Sequence, residues 1–396
     1  MRNQEKATLF QPERPKAFPL NAMAKCALQL PYGHVWLYAV SVHGACCVFG
    51  AVPIAFLFWT LLQKLKKKEL DHDAFVVTAL CTGILGAGVP LWMLYLIDDP
   101  PWMAMFLAST FGWSTFFKSC NVAFQQFPPG ADASLASWML WFVLIPEPLF
   151  NTKGKLELVT PQQMFITLRC FGDKFVGMFL LLSLLDMDYD YRLHLRNLPA
   201  SSLILTAMNG YLHIWLLYLF LSLCTDFSTI SGYATTRGGV AFGHGFDNPL
   251  LESRSFKEAW GLRWNLPVQK LLQRTAYVPL RRHGYAREIA AIATFCVSGL
   301  LHEYNFFIHN HYAYQAGKAT LFFVVMGTIV LAEKWAWDHL VPAALQQKIN
   351  RLPSVVIAVP LTLTAAIPFE WYFIQSWLDA GFVDCISKMF PHLSCN

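Results

Sequence analysis

Runs of about twenty apolar residues recur from residue 34 almost to the C-terminus, each long enough to carry a helix across about 30 Å of hydrocarbon. They lie near 34–63, 74–97, 103–123, 162–186, 201–224, 286–309, 317–341 and 354–378. A chain of 396 residues built this way has no room for a large soluble domain. Its composition agrees, with 55% hydrophobic, 15% aromatic and 14% charged residues, where soluble domains carry about 25% charged. A ninth apolar piece, SWMLWFVLIPEPLF at 137–150, is short and ends in a Pro-Glu-Pro corner, which marks it as re-entrant or interfacial. The expected fold is all-α and polytopic, with about eight transmembrane helices plus interfacial or re-entrant helices. It forms one domain over 34–380, between a polar arm at 1–33 and a tail at 381–396.

Charge sets the expected orientation. The loop after the first span holds Lys64, Lys66, Lys67 and Lys68, whereas the next connection reads DDPP, so the first is the cytosolic one. Alternate crossings then place the long polar segment 225–285, rich in Arg and Lys, on the same cytosolic side. The N-terminal arm, with five basic residues and two Glu, falls on the opposite side by parity and against the charge rule. It lacks the apolar core of a cleavable signal peptide, which leaves targeting to the first span. Ten cysteines are scattered without CxxC or zinc-type spacing, several of them inside spans, such as Cys81, Cys170 and Cys296, and most are expected to be small core residues. Cys385 and Cys395 bracket the tail and pair there if it faces an oxidising lumen. Net charge is +5, and no polybasic tract interleaved with aromatics points to nucleic acid. No internal repeat is present.

Two places carry residues that apolar surroundings make costly. Segment 225–285 mixes Trp260, Trp264, Phe256 and Leu266 with Lys257, Arg263, Lys270 and Arg274, a pattern that suits an amphipathic helix in the membrane interface. Asn265, flanked by Trp264 and Leu266, fits that pattern poorly, because a buried amide wants a partner. Downstream, IATFCVSGLLHEYNFF at 292–307 reads as a membrane helix until His302 and Glu303. Adjacent helical residues point about 100° apart, so Glu303 need not touch His302. His302, His309 and His311 do not make a metal site, since seven residues of helix separate the first two by about 10 Å. A neutral imidazole in an apolar chamber is able to take a proton from a hydroxyl attacking an activated carbonyl. An Asn amide suits the accompanying role of hydrogen-bond donor to the developing charge.

SFKEAWGLRWNLPVQKLL, RTAYVPLRR and ATFCVSGLLHEYNFF together resemble the wax synthase branch of the membrane-bound O-acyltransferases, the long-chain-alcohol O-fatty-acyltransferases. The likeness covers 246 to about 307, and more loosely the next span, ending AEKWAWDHL. Before residue 200 only the pattern of apolar spans is shared. The resemblance implies a membrane-bound O-acyltransferase-like fold, with His302 as catalytic base and Asn265 as second active-site residue. Trp260, Trp264, Ser298 and Glu303 take supporting places. It also implies acyl-CoA and a lipophilic alcohol as substrates, an endoplasmic reticulum membrane location, and no metal or organic cofactor. Cytosolic Arg263, Lys270, Arg274, Arg281 and Arg282 are the candidate contacts for CoA phosphates, or else ordinary juxtamembrane anchors. Two departures, Ala259 before the Trp-Gly pair and Leu262-Arg263 after it, bear on substrate choice more than on reaction type.

The expected reaction joins a fatty acyl group to a long-chain alcohol, giving a wax-type ester. One rival keeps the chemistry but takes a sterol, a diacylglycerol or a terpenoid as acceptor, with acetyl-CoA as a further donor. Another makes His302 and Glu303 the proton relay of a transporter, and a third makes the chain a membrane scaffold without activity.

Overall fold

Helices account for most of the described residues of the protein, whose computed structural model describes residues 26–96, 101–187, 202–235, 239–309 and 315–395. A first helical run joins α1 (Gly33–Ala45) to α2 (Val52–Lys66) through a π-helical turn at Cys46–Ala51. There follow α3 (His72–Leu96), α4 (Trp102–Ala123), the short α5 (Leu135–Val143), α6 (Pro161–Met187) and α7 (Ser202–Thr235). The C-terminal half adds α8 (Arg287–His309), α9 (Lys318–His339) and α10 (Ser354–Phe369), the last continuing through a π turn at Glu370–Ile374 into the helix Gln375–Asp379. Each of the eight expected spans therefore has its helix, and six are long and apolar enough to cross a membrane. The other two, α4 and α6, carry Lys118 and the Arg169, Asp173, Lys174 group. Many large apolar side chains face outward, Phe49, Trp92 and Ile204 among them, which in a multi-pass membrane protein is the lipid-facing surface.

Two expectations need correction. The fifth span does not end at 224, because α7 continues to Thr235. Nor does the aromatic-basic segment form one amphipathic helix. It winds through short pieces, Pro249–Glu252, Phe256–Glu258, a π turn at Ala259–Arg263, Leu266–Leu272, a second π turn at Gln273–Tyr277, and Val278–Arg282. Two prolines and the left-handed backbone of Asn248 and Asn265 (φ 42° and 41°) break the helix at those points. Phe256, Leu271, Leu272 and Ala276 are buried, so the segment packs into the bundle instead of lying on it.

The piece at 137–150 is α5 followed by an extended strip. Pro148 bridges Phe242, Phe150 bridges Leu156, and Leu158 bridges Val240. Its helix end is closed by Lys118, whose Nζ donates to the carbonyls of Trp141, Phe142 and Leu144 at 2.8, 2.9 and 2.6 Å. A buried ammonium is thereby paid for by orphan carbonyls at a helix C-terminus, where a cation is favoured.

The chain's two described ends meet. β1 (Cys26–Gln29) pairs antiparallel with β2 (His392–Cys395), placing the segments before the first helix and after the last on one side, as an even number of crossings requires. The register sets the backbone of Cys395 opposite Cys26. Cys385 is a free buried thiol beside Met389 Sδ, so the Cys385–Cys395 pairing is not formed. The arm at 1–25 and His311 lie outside the described residues.

Close approach fixes the helix pair that matters most. A Cβ on Gly299 of α8 would stand 2.6 Å from the Cα of Thr320 on α9, and one on Gly327 of α9 would stand 2.8 Å from the Phe295 ring. Small residues of this kind let membrane helices touch backbone to backbone. Gly299→Ala should push α9 away at a cost of about 1–3 kcal/mol, read as a lower melting temperature in detergent; an unchanged melt would show that the pair has slack.

Candidate active site

Five of the six residues of SGLLHE have distinct physical tasks, Leu300 being exposed on the outer surface. Ser298 supplies the carbonyl that accepts from Nδ1 of His302 at 2.7 Å, one turn back along α8. A carbonyl only accepts, so Nδ1 carries the proton and Nε2 keeps its lone pair. Gly299 gives α9 its close approach. Leu301 packs with Leu271, Leu272, Trp113 and Phe117, anchoring the winding segment against α8 and α4. His302 itself lies against the Phe323 ring at 4.5 Å between centroids and meets the edge of Phe373 at 5.1 Å. Its ring therefore sits in an aromatic sleeve, and in the neutral form Nε2 is an acceptor with no partner among the described residues.

Glu303 turns away from this chemistry. Its carboxylate, buried at 8% exposure, accepts from the backbone N–H groups of Gly317 (3.1 Å) and Thr320 (2.8 Å), which begin α9. A carboxylate on the positive end of a helix satisfies orphan donors and opposes the macrodipole favourably. The side-by-side His and Glu thus do different jobs on two faces of α8.

Asn265 stands at the start of the helix Leu266–Leu272, half-buried, in left-handed backbone and without a side-chain cap bond. Among the described residues its amide makes no hydrogen bond to His302. The two are connected through rings: His302 on Phe323, Phe323 to Trp260 at 5.9 Å, and Trp260 to Trp264 at 5.8 Å, the neighbour of Asn265. Trp260 and Trp264 also line an apolar cavity of about 530 Å³, counting its open mouth, whose other walls include Phe256, Phe322, Leu361 and Phe369. A larger, more open groove of about 1260 Å³ runs between α6 and α7, with Leu180, Leu181 and Leu184 along it and Asp173, Lys174 and Asn248 as its polar lining. Leu250 lines both spaces.

The five candidate phosphate contacts separate into two groups. Arg263 is committed, with Nε on Glu258 (2.8 Å) and Nη1 on Glu252 (3.0 Å), on Asp247 Oδ2 (3.1 Å) and on the Asp247 carbonyl. Burial works against its charge, but those carboxylates hold the guanidinium pKa above its usual value. Lys270 (3.5 Å) and Arg274 (2.6 Å) both pair with Glu147 of the Pro-Glu-Pro corner. Arg281 donates to the Tyr285 carbonyl, yet it and Arg282 are exposed, and Arg282 has no partner among the described residues. The first three hold the winding segment in shape, whereas the last two stand open to a ligand.

Sequence reasoning missed the wall residues Phe323 and Phe373, for which an apolar run gives no signal. It also passed over a buried pair, His213 Nδ1 to Glu370 Oε2 at 2.8 Å, with Gln375 Nε2 donating to the other carboxylate oxygen at 2.8 Å. Both ionisable residues lie within apolar runs, and the rule that flagged His302 would have flagged them. Among the described residues no three His, Cys, Asp or Glu side chains come together as metal ligands.

Residues 244–325 match the sequence model of the Membrane bound O-acyl transferase family. The chain is 38% identical over 95 residues to probable long-chain-alcohol O-fatty-acyltransferase 7 of Arabidopsis thaliana, a stretch covering 22% of this chain and 27% of the relative. It is 26% identical over 275 residues to probable long-chain-alcohol O-fatty-acyltransferase 3 of that plant, covering 63% and 72%. With acyl-CoA–sterol O-acyltransferase 1, also from Arabidopsis thaliana, identity is 30% over 149 residues, or 35% and 40%. The resemblance carried by the three sequence blocks is therefore borne out.

If Glu303 serves α9 and not the base, Glu303→Gln should keep most activity and Glu303→Ala should cost about 1–3 kcal/mol of stability. Equal, complete loss of turnover in both variants at unchanged melting temperature would instead make the carboxylate catalytic.

Proposed function

We propose that this chain, whose residues 244–325 match the Membrane bound O-acyl transferase family and are similar to long-chain-alcohol O-fatty-acyltransferases, transfers a fatty acyl group from acyl-CoA to a long-chain alcohol. The observation that carries the reading is the geometry of His302. Its Nδ1 proton is spent on Ser298 and its ring is confined by Phe323 and Phe373, which leaves Nε2 as an acceptor, and Phe323 in turn meets Trp260 and Phe322, two walls of the apolar cavity. In the proposed step the alcohol oxygen attacks the thioester carbonyl carbon while Nε2 takes the hydroxyl proton. Collapse of the tetrahedral intermediate breaks the carbon–sulfur bond, and the imidazolium returns its proton to the departing CoA thiolate. Asn265, whose amide has no hydrogen-bond partner among the described residues, donates to the carbonyl oxygen or the leaving sulfur.

The cavity bounded by Trp260, Trp264 and Phe322 takes the acyl chain, and its aromatic walls keep water from hydrolysing the thioester. Arg281 and Arg282 are the favoured contacts for CoA phosphates, since they are exposed where Arg263, Lys270 and Arg274 are held by carboxylates. The endoplasmic reticulum membrane is the proposed location. A sterol acceptor is the second reading, favoured by the relative whose name carries that substrate. Acceptor choice lies in the shape of the chamber that the alcohol enters.

Microsomes from a host lacking its own neutral-lipid acyltransferases, given labelled palmitoyl-CoA with mixed alcohols and sterols, test the reading and identify the acceptor together. Wild type should form ester, and His302→Ala should lose it by at least about a hundredfold at equal expression. Activity that survives the substitution removes His302 as the base. In the same assay, neutralising Arg281 and Arg282 together should raise the KM for acyl-CoA while leaving that for alcohol unchanged; an equal rise in both would count against a CoA contact.

A further inference from the structure

A second polar cluster lies beyond His302, near the C-terminal end of α8. The ring of His309 is 5.0 Å from that of Trp102 on α4 and 5.6 Å from that of Trp377 in the helix Gln375–Asp379, and the two indoles are 5.3 Å apart. His309 donates through Nδ1 to the Asn305 carbonyl at 2.8 Å, which leaves its Nε2 as an acceptor. Among the described residues six buried side-chain polar atoms lack a hydrogen-bond partner. Four of them belong here: Trp102 Nε1, Trp377 Nε1, His309 Nε2 and Asn305 Oδ1. Buried polar atoms without partners are rare and costly, and four in one cluster call for a missing ligand.

We propose that this cluster binds a neutral hydroxyl group, and that it receives the alcohol acceptor before the alcohol reaches His302. The second half of that statement rests on the acyltransferase reading, whereas the first does not.

The donor and acceptor inventory selects the ligand. Both indoles can only donate, while His309 Nε2 and Asn305 Oδ1 accept. A hydroxyl oxygen accepts two hydrogen bonds and donates one, so a single hydroxyl can serve both indoles and one acceptor. Among the described residues a carboxylate or phosphate would meet two acceptors and no cation, and an ammonium would meet two donors and no carboxylate. The rings of Phe106 and Phe382, 5.3 and 5.4 Å from Trp102, supply an apolar wall for the rest of the molecule.

Position connects the cluster to the base. Seven residues of helix turn through about 700°, close to two full turns, so His309 and His302 share one face of α8 about 10 Å apart. Phe373 touches His302 at 5.1 Å and Phe306 at 5.2 Å, and Phe306 reaches Trp377 at 5.8 Å. An aromatic track therefore runs from the hydroxyl site to the base.

Water offers the same hydroxyl chemistry, and the test separates the two sources. Purified protein without acyl-CoA, in which no transfer can occur, is titrated with 1-hexadecanol and with its methyl ether, which lacks the O–H donor. The alcohol should bind about five- to tenfold tighter. That preference should persist in His302→Ala, disappear in His309→Phe and weaken in Trp377→Phe, which keeps a ring and removes only the N–H. Should His309→Phe fail to fold, Trp377→Phe carries the test. Equal binding of alcohol and ether by the wild type would leave water as the occupant and overturn the proposal, as would a preference that both variants retain. Preference lost in His302→Ala would move the hydroxyl to the base. If palmitoyl-CoA then yields no ester while the preference stands, the acyltransferase reading fails and the hydroxyl site remains.

Discussion

The contact between α8 and α9 is the constraint on which the rest of the site depends. Gly299 lets the two backbones approach until only hydrogen fits between them, and Glu303 fastens the first turn of α9 through Gly317 and Thr320. Together they fix both the separation and the height of α9 relative to α8. Phe323, one turn into α9, consequently lands on His302, and Phe322 beside it lines the apolar cavity. A side chain larger than hydrogen at 299 would not touch the imidazole, yet it would move the ring that holds it. The surroundings of the His302 ring are thus set by a glycine and a carboxylate that hold α9 in place.

Helix ends do the electrostatic work inside the bundle. Lys118 closes the C-terminal end of α5 with three carbonyls, and Glu303 closes the N-terminal end of α9 with two N–H groups. In each case a charge expensive to bury meets backbone groups equally expensive to leave bare, so one contact offsets both costs. Glu147 plays the related part for the winding segment, facing Lys270 and Arg274, and Glu258 with its neighbours does so for Arg263. The segment that bears Asn265 is too broken by proline and left-handed backbone to be held by helix hydrogen bonds alone. These ion pairs, together with Leu271 and Leu272 in the core, supply the rigidity its secondary structure lacks.

Apolar run length made the fold legible, because hydrocarbon thickness imposes the same minimum on every span, and each of the eight apolar runs has its helix, six of them apolar enough throughout to cross. The fifth boundary was lost because α7 leaves the apolar run at 224 and continues through Thr225, Asp226 and Ser228, where helix persists without hydropathy to mark it. The winding segment was misjudged for a different reason. Alternating Trp and Arg describe an interfacial helix only while the backbone stays regular, and Pro249, Pro267 and the positive φ of Asn265 break it. Of the site, His302 and Asn265 were visible as polar residues in apolar surroundings. Glu303 was equally visible, but its task was not, because its partners lie fourteen and seventeen residues away across a turn between helices. The same limit hid Phe323 and Phe373, whose importance comes from where two other helices place them.

His302 and His309 show how one residue type acquires different uses from its surroundings. Each donates Nδ1 to a carbonyl four residues back, so each is fixed as the same neutral tautomer with Nε2 as an acceptor. What differs is the company. Around His302 the neighbouring rings, Phe323 and Phe373, carry no hydrogen-bonding group and offer Nε2 no polar partner. Around His309 stand two indole N–H donors and an amide oxygen, a setting that steadies a hydroxyl without polarising it toward an alkoxide, because donors to the oxygen and an acceptor for its proton are balanced. One setting is walled by rings alone and the other by hydrogen-bonding groups, and seven residues of α8 are enough to carry a chain from one to the other.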